Sequence, residues 1–520
     1  MNKSSHFHPI VFAIILCVGI LIGSFLNKNS SSQMPNKFDL ILNQLDEIYI
    51  DSIDKNELIE QAVQYVIEEL DPHSSYIPAK NLQTVNEGME GSFDGIGIEF
   101  NIQKDTLLVV APISGGPSQM VGVLSGDKII RVDEEVIAGI NITNDDIFKL
   151  LRGKKGTKVS IDILRNGEVI NFEIIRDKIP IYSVDVSYMI ENSLGYIKIN
   201  RFSATTYEEF ITASAELLNN GMKTLVLDLR NNPGGYLGAS INISNEFLPD
   251  NKLIVYTQSR DGERQEYYSN KNGLLINTEV IVIIDEGSAS ASEIVSGALQ
   301  DNDRGTIVGR RSFGKGLVQE QFQNKDGSAY RITTQRYYTP TGRCIQRPYS
   351  NGDNEQYQED ILDRYSNGEL LSKDSIPLID SLKYVTPKGK IVYGGGGIIP
   401  DVFIPIDTTS YHQSISTANR KGLVQQFAYS LSDQLRKDWG KKDVQTFISD
   451  YEVNEATLLE LKAYCKTENI DFPVREFDTY DLKIIRTQLK AFIGRTIWND
   501  EAFFPIMHQI DNTFQGAIKQ

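Results

Sequence analysis

The sequence predicts a multidomain α/β (α+β) protein that ends in a mostly helical domain. Its 520 residues exceed the usual size of one domain, and its shares of apolar and charged residues are those of ordinary globular proteins. The apolar, β-branched run 278–285 precedes residues 289–299, whose spacing favours a helix, so we predict a buried strand that leads into a helix. Beyond residue 406, leucines recur with helical spacing between polar stretches. We therefore expect three or four domains.

An apolar segment lies close to the N-terminus. After a tail of residues 1–9, residues 10–26 form an uninterrupted, largely apolar run at the low end of the roughly 17–25 residues that cross a bilayer. The run exceeds the ~7–15 residues of a signal-peptide core and no Ala-x-Ala site follows it, which favours a retained transmembrane signal anchor. The short tail predicts a single-pass protein of the bacterial inner membrane with its other domains in the periplasm. A secreted or periplasmic protein released by signal cleavage is the alternative.

Two short regions follow this segment. Residues 27–37 are rich in Ser and Asn and predict a flexible linker. Residues 38–90 predict a helical N-terminal module, because apolar side chains recur there with helical spacing. Within this module Asp71 and His73 suggest a polar pair, for which we favour a turn at a helix end over a catalytic role.

Residues 91–178 contain two segments that are informative in combination. They are Gly95-Ile-Gly-Ile-Glu-Phe100 and Leu124-Ser-Gly-Asp-Lys-Ile-Ile-Arg-Val-Asp133. In combination they resemble a PDZ domain, which adds an extended peptide to a sheet edge and holds its terminal carboxylate with backbone N–H groups. The resemblance implies a groove helix at 145–151 and a hairpin turn at Asn166-Gly167. It also implies a carboxylate loop and a pocket for an apolar terminal side chain, formed by Gly95, Ile96, Gly97, Ile98 and Phe100.

A charged segment follows the predicted groove helix. It contains Arg152, Lys154 and Lys155. We predict a solvated turn, with a regulatory contact to the next domain as the alternative.

The segment Gly287-Ser-Ala-Ser290-Ala-Ser-Glu293 offers a nucleophile. Ser290 lies where the predicted strand turns into the predicted helix, among small residues that leave its hydroxyl approachable. The helix N-terminus favours negative charge that develops there, which suits acyl transfer. Ser288 and Ser292 compete for the role, but we favour packing or capping functions for them.

A serine nucleophile needs a base, and Lys315 is the favoured one. The five histidines are poor candidates: His6 and His8 precede the apolar segment, and His73, His412 and His508 lie in parts that look helical or peripheral. Lysine acts as a base only where desolvation or cationic neighbours lower its pKa.

The surroundings of Lys315 in the sequence fit that requirement. Lys315 lies between two glycines and among apolar residues, with Arg310 and Arg311 nearby. Gln319 follows by four positions, a spacing that places both side chains on one face of a helix or strand. From there it could orient the amine.

Several ordered motifs resemble the C-terminal processing (tail-specific) proteases over about residues 40–405. They are Leu70-Asp-Pro-His-Ser-Ser-Tyr76, Asp228-Leu-Arg-Asn-Asn-Pro-Gly234-Gly235, the Ser290 and Lys315 segments, Tyr337-Tyr-Thr-Pro-Thr-Gly-Arg343 and Tyr393-Gly-Gly-Gly-Gly-Ile-Ile-Pro-Asp401. The resemblance implies an α/β protease core of crotonase-like fold over residues 179–407. It also implies Ser290 as nucleophile, Lys315 as base and Gln319 as the residue that positions the lysine. The oxyanion hole would comprise the N–H of Ala291 and that of Gly234 or Gly235.

Two segments resemble motifs of other enzyme classes, and we disfavour both interpretations because a residue or motif that each class requires is missing. Residues 309–316 resemble a phosphate-binding loop, but Gly316 replaces the hydroxyl residue that holds magnesium. Ser312-Phe-Gly-Lys315 fits the Ser-x-x-Lys of penicillin-binding proteins, but the chain lacks a Ser-Asp-Asn or Lys-Thr-Gly partner.

Composition limits the partners. The net charge of −17 argues against nucleic acid, and the cysteines, Cys17, Cys344 and Cys465, form neither a disulfide framework nor a metal-ligand spacing. We expect no cofactor and no metal. For residues 408–520 we predict a structural role, in shaping the substrate path or in an oligomer contact. The partners would be polypeptides with apolar C-termini and the membrane, with a homo-oligomer or an adaptor left open.

The predicted function is a serine endopeptidase with a Ser-Lys mechanism that recognises C-termini through the PDZ domain and processes extracytoplasmic proteins. Two alternatives remain open. One is a catalytically silent PDZ scaffold or chaperone, and the other is a Ser-Lys acyl transferase that acts on cell-wall peptides.

Overall fold

The computed structural model describes residues 11–19, 37–103, 105–113, 115–165, 167–191, 193–270, 273–350, 352, 354–409 and 411–520. These residues divide into two compact units, 1–67 and 68–520. Each unit is described separately.

The first unit contains helices only, as far as it is described. They are α1 (11–19), α2 (Lys37–Ile48) and most of α3 (Lys55–Glu68). A Lys55–Asp46 ion pair of 2.7 Å joins α2 and α3. Of the predicted membrane anchor, residues 10 and 20–26 lie outside the described part, and no described helix combines the length and apolar character needed to span a bilayer.

The second unit begins with a strand. Residues Ser75–Ile77 form β1, which pairs antiparallel with Ala329–Arg331, and helix α4 (Ala79–Glu90) follows. Ile77 is buried in a small cluster with Leu82 and Ala329. The region 38–90 is therefore not exclusively helical as predicted, because this apolar contact draws three of its residues into a distant sheet.

Residues 91–180 form a β-rich domain on a two-stranded stalk. The stalk pairs β2 (Ser92–Gly95) with β9 (Asp177–Pro180) in antiparallel register. The domain's sheet has the order β3-β4-β5-β7-β8, with β6 paired to β5, so β3 is an edge strand. Its strands and helices are β3 (Ile98–Gln103), β4 (Thr106–Pro112), α5 (Pro117–Val121), β5 (Lys128–Val132), β6 (Glu135–Val136), α6 (Asn144–Leu151), β7 (Lys158–Arg165) and β8 (Glu168–Ile175). The turn residue Asn166 lies outside the described part.

A six-stranded sheet forms the centre of the next domain. Its order is β10-β11-β12-β15-β16-β21, parallel from β11 onward and with β10 antiparallel at one edge. The strands are β10 (Val184–Glu191), β11 (Leu194–Ile199), β12 (Thr224–Asp228), β15 (Glu279–Ile284), β16 (Thr306–Gly309) and β21 (Val402–Phe403). Both faces are covered, which explains the near-continuous apolar runs in β12 and β15.

Three helices cover one face of this sheet. They are α7 (Thr206–Asn219), α8 (Leu237–Phe247) and α9 (Ala291–Asp301), and their apolar sides form the main core with the strands. The strand-to-helix order predicted around Ser290 is present as β15 and α9. The predicted mixed α/β class is therefore confirmed.

A second sheet lies beside the central one. Its order is β1-β18-β13-β14, and β17 also pairs with β18. Its further strands are β13 (Leu253–Ser259), β14 (Arg264–Tyr268), β17 (Leu317–Gln323) and β18 (Ala329–Tyr338). Helix α10 (Asn354–Ser366) and a small hairpin of β19 (Lys383–Val385) and β20 (Ile391–Tyr393) complete this region.

The C-terminal region is helical, and its last helices cover the other face of the central sheet. Phe504, Phe514 and Ala517 pack there against Val226 and Ile281. The helices are α11 (Gln413–Arg420), α12 (Leu423–Trp439), α13 (Val444–Asp450), α14 (Glu455–Thr467), α15 (Thr479–Trp498), α16 (Asp500–Met507) and α17 (Asn512–Ala517). Short 3-10 turns occupy Lys373–Ser375, Asp380–Leu382 and Val474–Glu476.

Candidate active site

A cavity of about 540 Å³ brings together most of the predicted catalytic residues. It opens beside the start of α9, where the turn after β12 faces strands β17 and β18. Its wall includes Gly234, Gly235, Ser290, Lys315 and Gln319. The remaining lining residues are Asn86, Met89, Pro233, Tyr236, Leu237, Ile294, Leu317, Val318, Gln321, Arg331 and Tyr337.

Ser290 is the residue that precedes α9, and its backbone is strained. Its φ of 53° lies in a region that L-residues other than glycine rarely adopt, at a cost of about 1–3 kcal/mol. Two contacts hold this conformation: the Ser290 N–H donates to Glu293 Oε2 at 2.8 Å, and the Tyr337 hydroxyl donates to the Ser290 carbonyl at 3.1 Å. These contacts fix the turn at Ser290, and its side chain lines the cavity.

Ser288 and Ser292, the two competing nucleophiles, are fully buried instead. The Ser288 hydroxyl donates to the Leu229 carbonyl at 2.8 Å, and that of Ser292 donates to the Asn232 carbonyl at 3.0 Å. Both hydroxyls therefore fasten the strand-to-helix turn to the neighbouring loop, and neither lines the cavity.

Glu293 accepts hydrogen bonds from several groups around the cavity. Its fully buried carboxylate accepts hydrogen bonds from the Ser312 hydroxyl (2.5 Å) and from the N–H groups of Gly314 (2.7 Å), Lys315 (2.9 Å) and Ser290. Burial raises the pKa of Glu293 to about 7, although the four donors favour the charged form. One side chain thus fixes the backbone of both Ser290 and Lys315.

Lys315 lies in a half-enclosed, electropositive environment. Burial lowers the pKa of its amine, and the charge of Arg331 lowers it further, while Asp71 and Glu293 act in the opposite direction. No hydrogen-bond acceptor for Lys315 Nζ occurs in the described part of the chain. This is the environment in which a lysine can be neutral near physiological pH and accept a proton.

The cationic neighbours predicted from the sequence are not the ones that act on Lys315. Arg310 pairs with Glu286 at 2.7 Å and Arg311 pairs with Glu369 at 2.6 Å, so their charges are balanced locally. Arg331, sixteen positions after Lys315 in sequence, supplies the positive charge instead. Only the pairing of β17 with β18 brings it close, and no sequence signal marked it.

Gln319 lines the cavity, but it does not contact the lysine. Its side-chain amide donates to the Thr333 hydroxyl at 3.3 Å, and within the described residues no hydrogen bond joins Gln319 to Lys315. Both side chains line the same cavity, as the spacing predicted, although Lys315 precedes β17 and the register of that strand shifts between Val318 and Gln319. The predicted orienting role is not apparent in this conformation.

The turn after β12 places two glycines against the serine. A Cβ on Gly234 would lie 2.7 Å from Ser290 Cβ, and a Cβ on Gly235 would lie 2.0 Å from the Phe202 carbonyl oxygen. The Gly234 N–H donates to Asn232 Oδ1 at 2.9 Å. By contrast, the N–H groups of Gly235 and Ala291 have no acceptor among the residues described. Of the two glycines left open by the sequence, Gly235 thus has the available donor.

His73 lies beside Lys315 rather than at the periphery as expected. Its Nε2 is 2.8 Å from the Tyr357 hydroxyl, and its ring meets that of Phe313 edge-on. Burial and the charge of Lys315 lower the pKa of His73 to about 3, so the ring is neutral. Asp71 accepts from the N–H groups of His73 (2.8 Å) and Ser74 (2.9 Å), as expected for a turn.

The peptide-binding residues predicted in the β-rich domain separate into two groups. Gly95 ends β2, Gly97 has a φ of +74°, and the side chain of Ile96 is buried in the core of the domain. Ile98 and Phe100 lie on the edge strand β3, and Phe100 meets Phe148 of α6 at 5.6 Å. The edge strand and α6 are therefore in contact through these two rings, whereas Ile96 faces the core of the domain.

Arg152 ends α6 and is more engaged than a solvated turn residue. It pairs with Glu87 of α4 at 2.6 Å and lies over the rings of Phe93 and Phe148, both at 4.7 Å. Lys155 forms an exposed pair with Asp177. Lys155 fits the predicted solvated turn. Arg152 contacts α4, which precedes this domain in the chain, so the alternative of a regulatory contact to the following domain stays a prediction.

Comparison with known proteins places this site in a family. Residues 193–355 match the model of peptidase family S41, and residues 95–175 match that of the PDZ domain. The carboxy-terminal-processing protease of Bartonella bacilliformis is 34% identical over 326 residues, which cover 62% of this chain and 74% of that protein. This chain belongs to the carboxy-terminal processing proteases.

Other matches extend this comparison. The carboxy-terminal processing protease CtpA of Bacillus subtilis is 33% identical over 329 residues, which cover 62% of this chain and 70% of that protein. The solved photosystem II D1 C-terminal processing protease is 25% identical, with 71% of this chain and 88% of that chain covered and a TM-score of 0.36. Residues 414–499 match a family of unknown function, DUF8443.

The predicted serine-type peptidase with a PDZ domain is thereby confirmed. The β-rich domain contains the PDZ match, β3 lies at the edge of its sheet, and α6 covers the segment 145–151 predicted as the groove helix. The S41 match lies in the domain of the central sheet and includes Ser290, Lys315 and the glycine turn.

Proposed function

We propose that this carboxy-terminal processing protease cleaves polypeptides by a Ser-Lys mechanism after its PDZ domain has bound an apolar C-terminus. The observation that carries the proposal is the shared cavity of Ser290 and Lys315, in which the half-buried lysine lies near Arg331, an arginine without a carboxylate partner among the described residues.

In this mechanism the neutral amine of Lys315 accepts the proton of the Ser290 hydroxyl as the oxygen attacks a peptide carbonyl. The resulting oxyanion accepts hydrogen bonds from the N–H groups of Ala291 and Gly235. The protonated Lys315 then returns the proton to the leaving amine, and water completes the hydrolysis of the acyl-enzyme by the same route. Glu293 and Tyr337 hold the two catalytic backbones in place.

The PDZ groove supports delivery of a C-terminal segment. A peptide that adds to β3 would receive backbone hydrogen bonds along the strand, with its last side chain against Phe100 and Phe148. The apolar wall of this groove favours an apolar terminal residue.

The test uses the full chain and an unfolded protein that bears either an apolar or a charged C-terminus. Mass spectrometry compares wild type, Ser290→Ala and the matched control Ser296→Ala, whose buried hydroxyl bonds within α9 outside the cavity. We expect cleavage by wild type and the control, none by Ser290→Ala, and faster cleavage of the apolar-tailed protein. Cleavage that survives Ser290→Ala would rule out the mechanism, and a wild type without turnover would favour the silent scaffold.

We further propose a single-pass protein of the bacterial inner membrane with its catalytic domains in the periplasm. The support is the apolar run of residues 10–26. Fractionation of cells that produce the full chain tests this: the protein should stay in the membrane after alkaline extraction and be digested by protease added to spheroplasts. Recovery from the soluble periplasmic fraction with a shortened N-terminus would indicate a cleaved signal.

A further inference from the structure

Arg331 of β18 is a charged residue of the catalytic cavity that the mechanism leaves without a direct role. Its side chain lines the cavity with Ser290 and Lys315 and is half-buried. Its Nε donates to Gln321 Oε1 at 2.9 Å, and Gln321 in turn donates to Asn86 Oδ1 at 3.2 Å. One edge of the guanidinium is therefore fixed by a neighbour on β17.

The other edge of this guanidinium has no protein partner. Among the described residues, neither terminal amino nitrogen of Arg331 meets a hydrogen-bond acceptor, and no carboxylate lies within ion-pair distance. Neither of these two nitrogens is fully buried. They are accessible from the cavity.

Most other arginines of the same domain have carboxylate or backbone carbonyl partners. Arg230, Arg310, Arg311, Arg343, Arg347 and Arg364 each pair with a carboxylate. Arg304, which has no carboxylate partner, donates to four backbone carbonyls. Arg331 differs from these arginines because it lines the catalytic cavity, where a bound anion would supply the partner that its partly desolvated guanidinium lacks.

We infer that Arg331 binds a carboxylate of the substrate in the active-site cavity and so selects peptides that carry one near the scissile bond. A guanidinium whose Nε is already engaged presents its remaining N–H groups in one plane, a geometry that matches a carboxylate. Two sources have this chemistry: an acidic side chain close to the cleaved bond, or the terminal carboxylate of a short peptide. The inference rests on the proposed function, since it assigns a specificity to the same cavity.

Carboxylate binding at Arg331 would also act on the base. The charge of Arg331 lowers the pKa of Lys315, and a bound carboxylate would offset part of that charge. The acid limb of kcat should therefore lie at higher pH for an acidic substrate than for its amide analogue. A purely structural Arg331 would produce no such dependence on the substrate.

The test compares kcat/KM for sets of peptides that differ only in charge. One set replaces each residue around the cleaved bond by Glu or by Gln, and the other ends in a free carboxylate or an amide. The enzymes are wild type, Arg331→Gln, Arg331→Lys and the matched control Arg336→Gln, an exposed arginine of the same strand outside the cavity. The two sets distinguish the side-chain source from the terminal one.

We expect wild type and Arg336→Gln to prefer Glu over Gln at one position, or the acid over the amide, by about tenfold or more, the value of a charge-assisted hydrogen bond. Arg331→Gln should reduce that ratio to about one and Arg331→Lys should keep part of it. Equal cleavage of every pair by wild type, or a preference that survives Arg331→Gln, would overturn the inference. Should Arg331→Gln not fold, the wild-type ratios and Arg331→Lys decide.

A binding experiment separates this inference from the proposed function. Full-length Ser290→Ala protein is titrated with the same labelled peptides, and the double variant with Arg331→Gln serves as the comparison. A Glu-over-Gln preference that depends on Arg331 would support the inference even if wild type had no turnover. Cleavage that depends on Ser290 but ignores charge, with no charge preference in binding, would leave the protease and remove the role of Arg331.

Discussion

Ser290 and Lys315 face one cavity because a single buried carboxylate, that of Glu293, holds the backbone of both. The strain in Ser290 is tolerated because Glu293 and Tyr337 bind its N–H and its carbonyl group. The backbone of both residues is therefore held by the buried Glu293 and by Tyr337, which itself lines the cavity.

The environment of Lys315 makes the pH dependence of activity predictable. Only the neutral amine accepts a proton, so kcat/KM should rise with pH through the lowered pKa of Lys315 and fall away on the acid side. Arg331→Gln removes a positive neighbour, which raises that pKa and should move the acid limb to higher pH. Profiles of kcat/KM for wild type and Arg331→Gln test this.

The control is Arg336→Gln, a change at an exposed arginine, which should leave the acid limb of the kcat/KM profile at its wild-type pH. The other charged groups that face the amine, Asp71 and Glu293, both raise its pKa and remain unchanged in these variants. A limb that stays put or moves to lower pH in Arg331→Gln would contradict the assignment of Lys315 as the base.

At the scale of elements, the turn between β12 and α8 approaches the start of α9 closely because Gly234 and Gly235 have no side chains. Gly234→Ala would drive a Cβ to 2.7 Å from Ser290 Cβ, and Gly235→Ala would bring one to 2.0 Å from the Phe202 oxygen. Because either change displaces the oxyanion donors, we expect kcat to fall about 10²–10³-fold, the usual effect of losing one such donor. Steady-state kinetics with circular dichroism on folded variants measures this.

Gly238→Ala is the control for that pair. It is an exposed position in the first turn of α8, where an added Cβ meets nothing within 4 Å. This variant should keep wild-type kcat. Equal activity of Gly234→Ala, Gly235→Ala and Gly238→Ala would show that the turn does not form the oxyanion hole.

The edge strand β3 and helix α6 define a second testable element. Phe100→Ala removes a ring that contacts Phe148 at the groove, and we expect binding of an apolar-tailed peptide to weaken about tenfold or more. Fluorescence anisotropy in the Ser290→Ala background measures binding without turnover. Val169→Ala, an exposed position on β8, is the control, and an equal loss there would argue against this groove.

At the scale of the whole second unit, the C-terminal helices are part of the protease rather than an appendage. They cover one face of the central sheet, and Asp511 pairs with Arg230 at 2.7 Å, just before the glycine turn. They also reach the PDZ domain, where Tyr429 shares a cavity of about 130 Å³ with Leu108 and Val110. The structural role predicted for this region thus has specific contacts.

Asp511→Asn tests the contribution of that ion pair. Asparagine keeps the cap that Asp511 provides to the Phe514 N–H but loses the charge opposite Arg230. We expect a loss of about 1–3 kcal/mol in the free energy of unfolding, the range for hydrogen bonds to charged groups. Urea unfolding measures it, with Asp443→Asn as a control that caps α13 without an ion pair. Equal effects of both changes would assign the loss to capping.

The sequence by itself determined the family and the strand-to-helix turn at Ser290, and it predicted Lys315 as the base. These follow from local patterns: an apolar run, small residues at a helix start, and ordered motifs whose spacing is visible in one dimension. The PDZ domain was also predictable, because its two segments lie close together in the chain.

Only the tertiary structure decided which residues surround Ser290 and Lys315. Arg331 replaced Arg310 and Arg311 as the neighbour of Lys315, because strand pairing brought it near while ion pairs neutralised the other two. His73 reached Lys315 because β1 joins a sheet formed more than 250 positions later. The Gln319 amide donates to Thr333 of the neighbouring strand, so its orienting role stays a prediction. Desolvation and charge act through space, and no spacing along the chain encodes them.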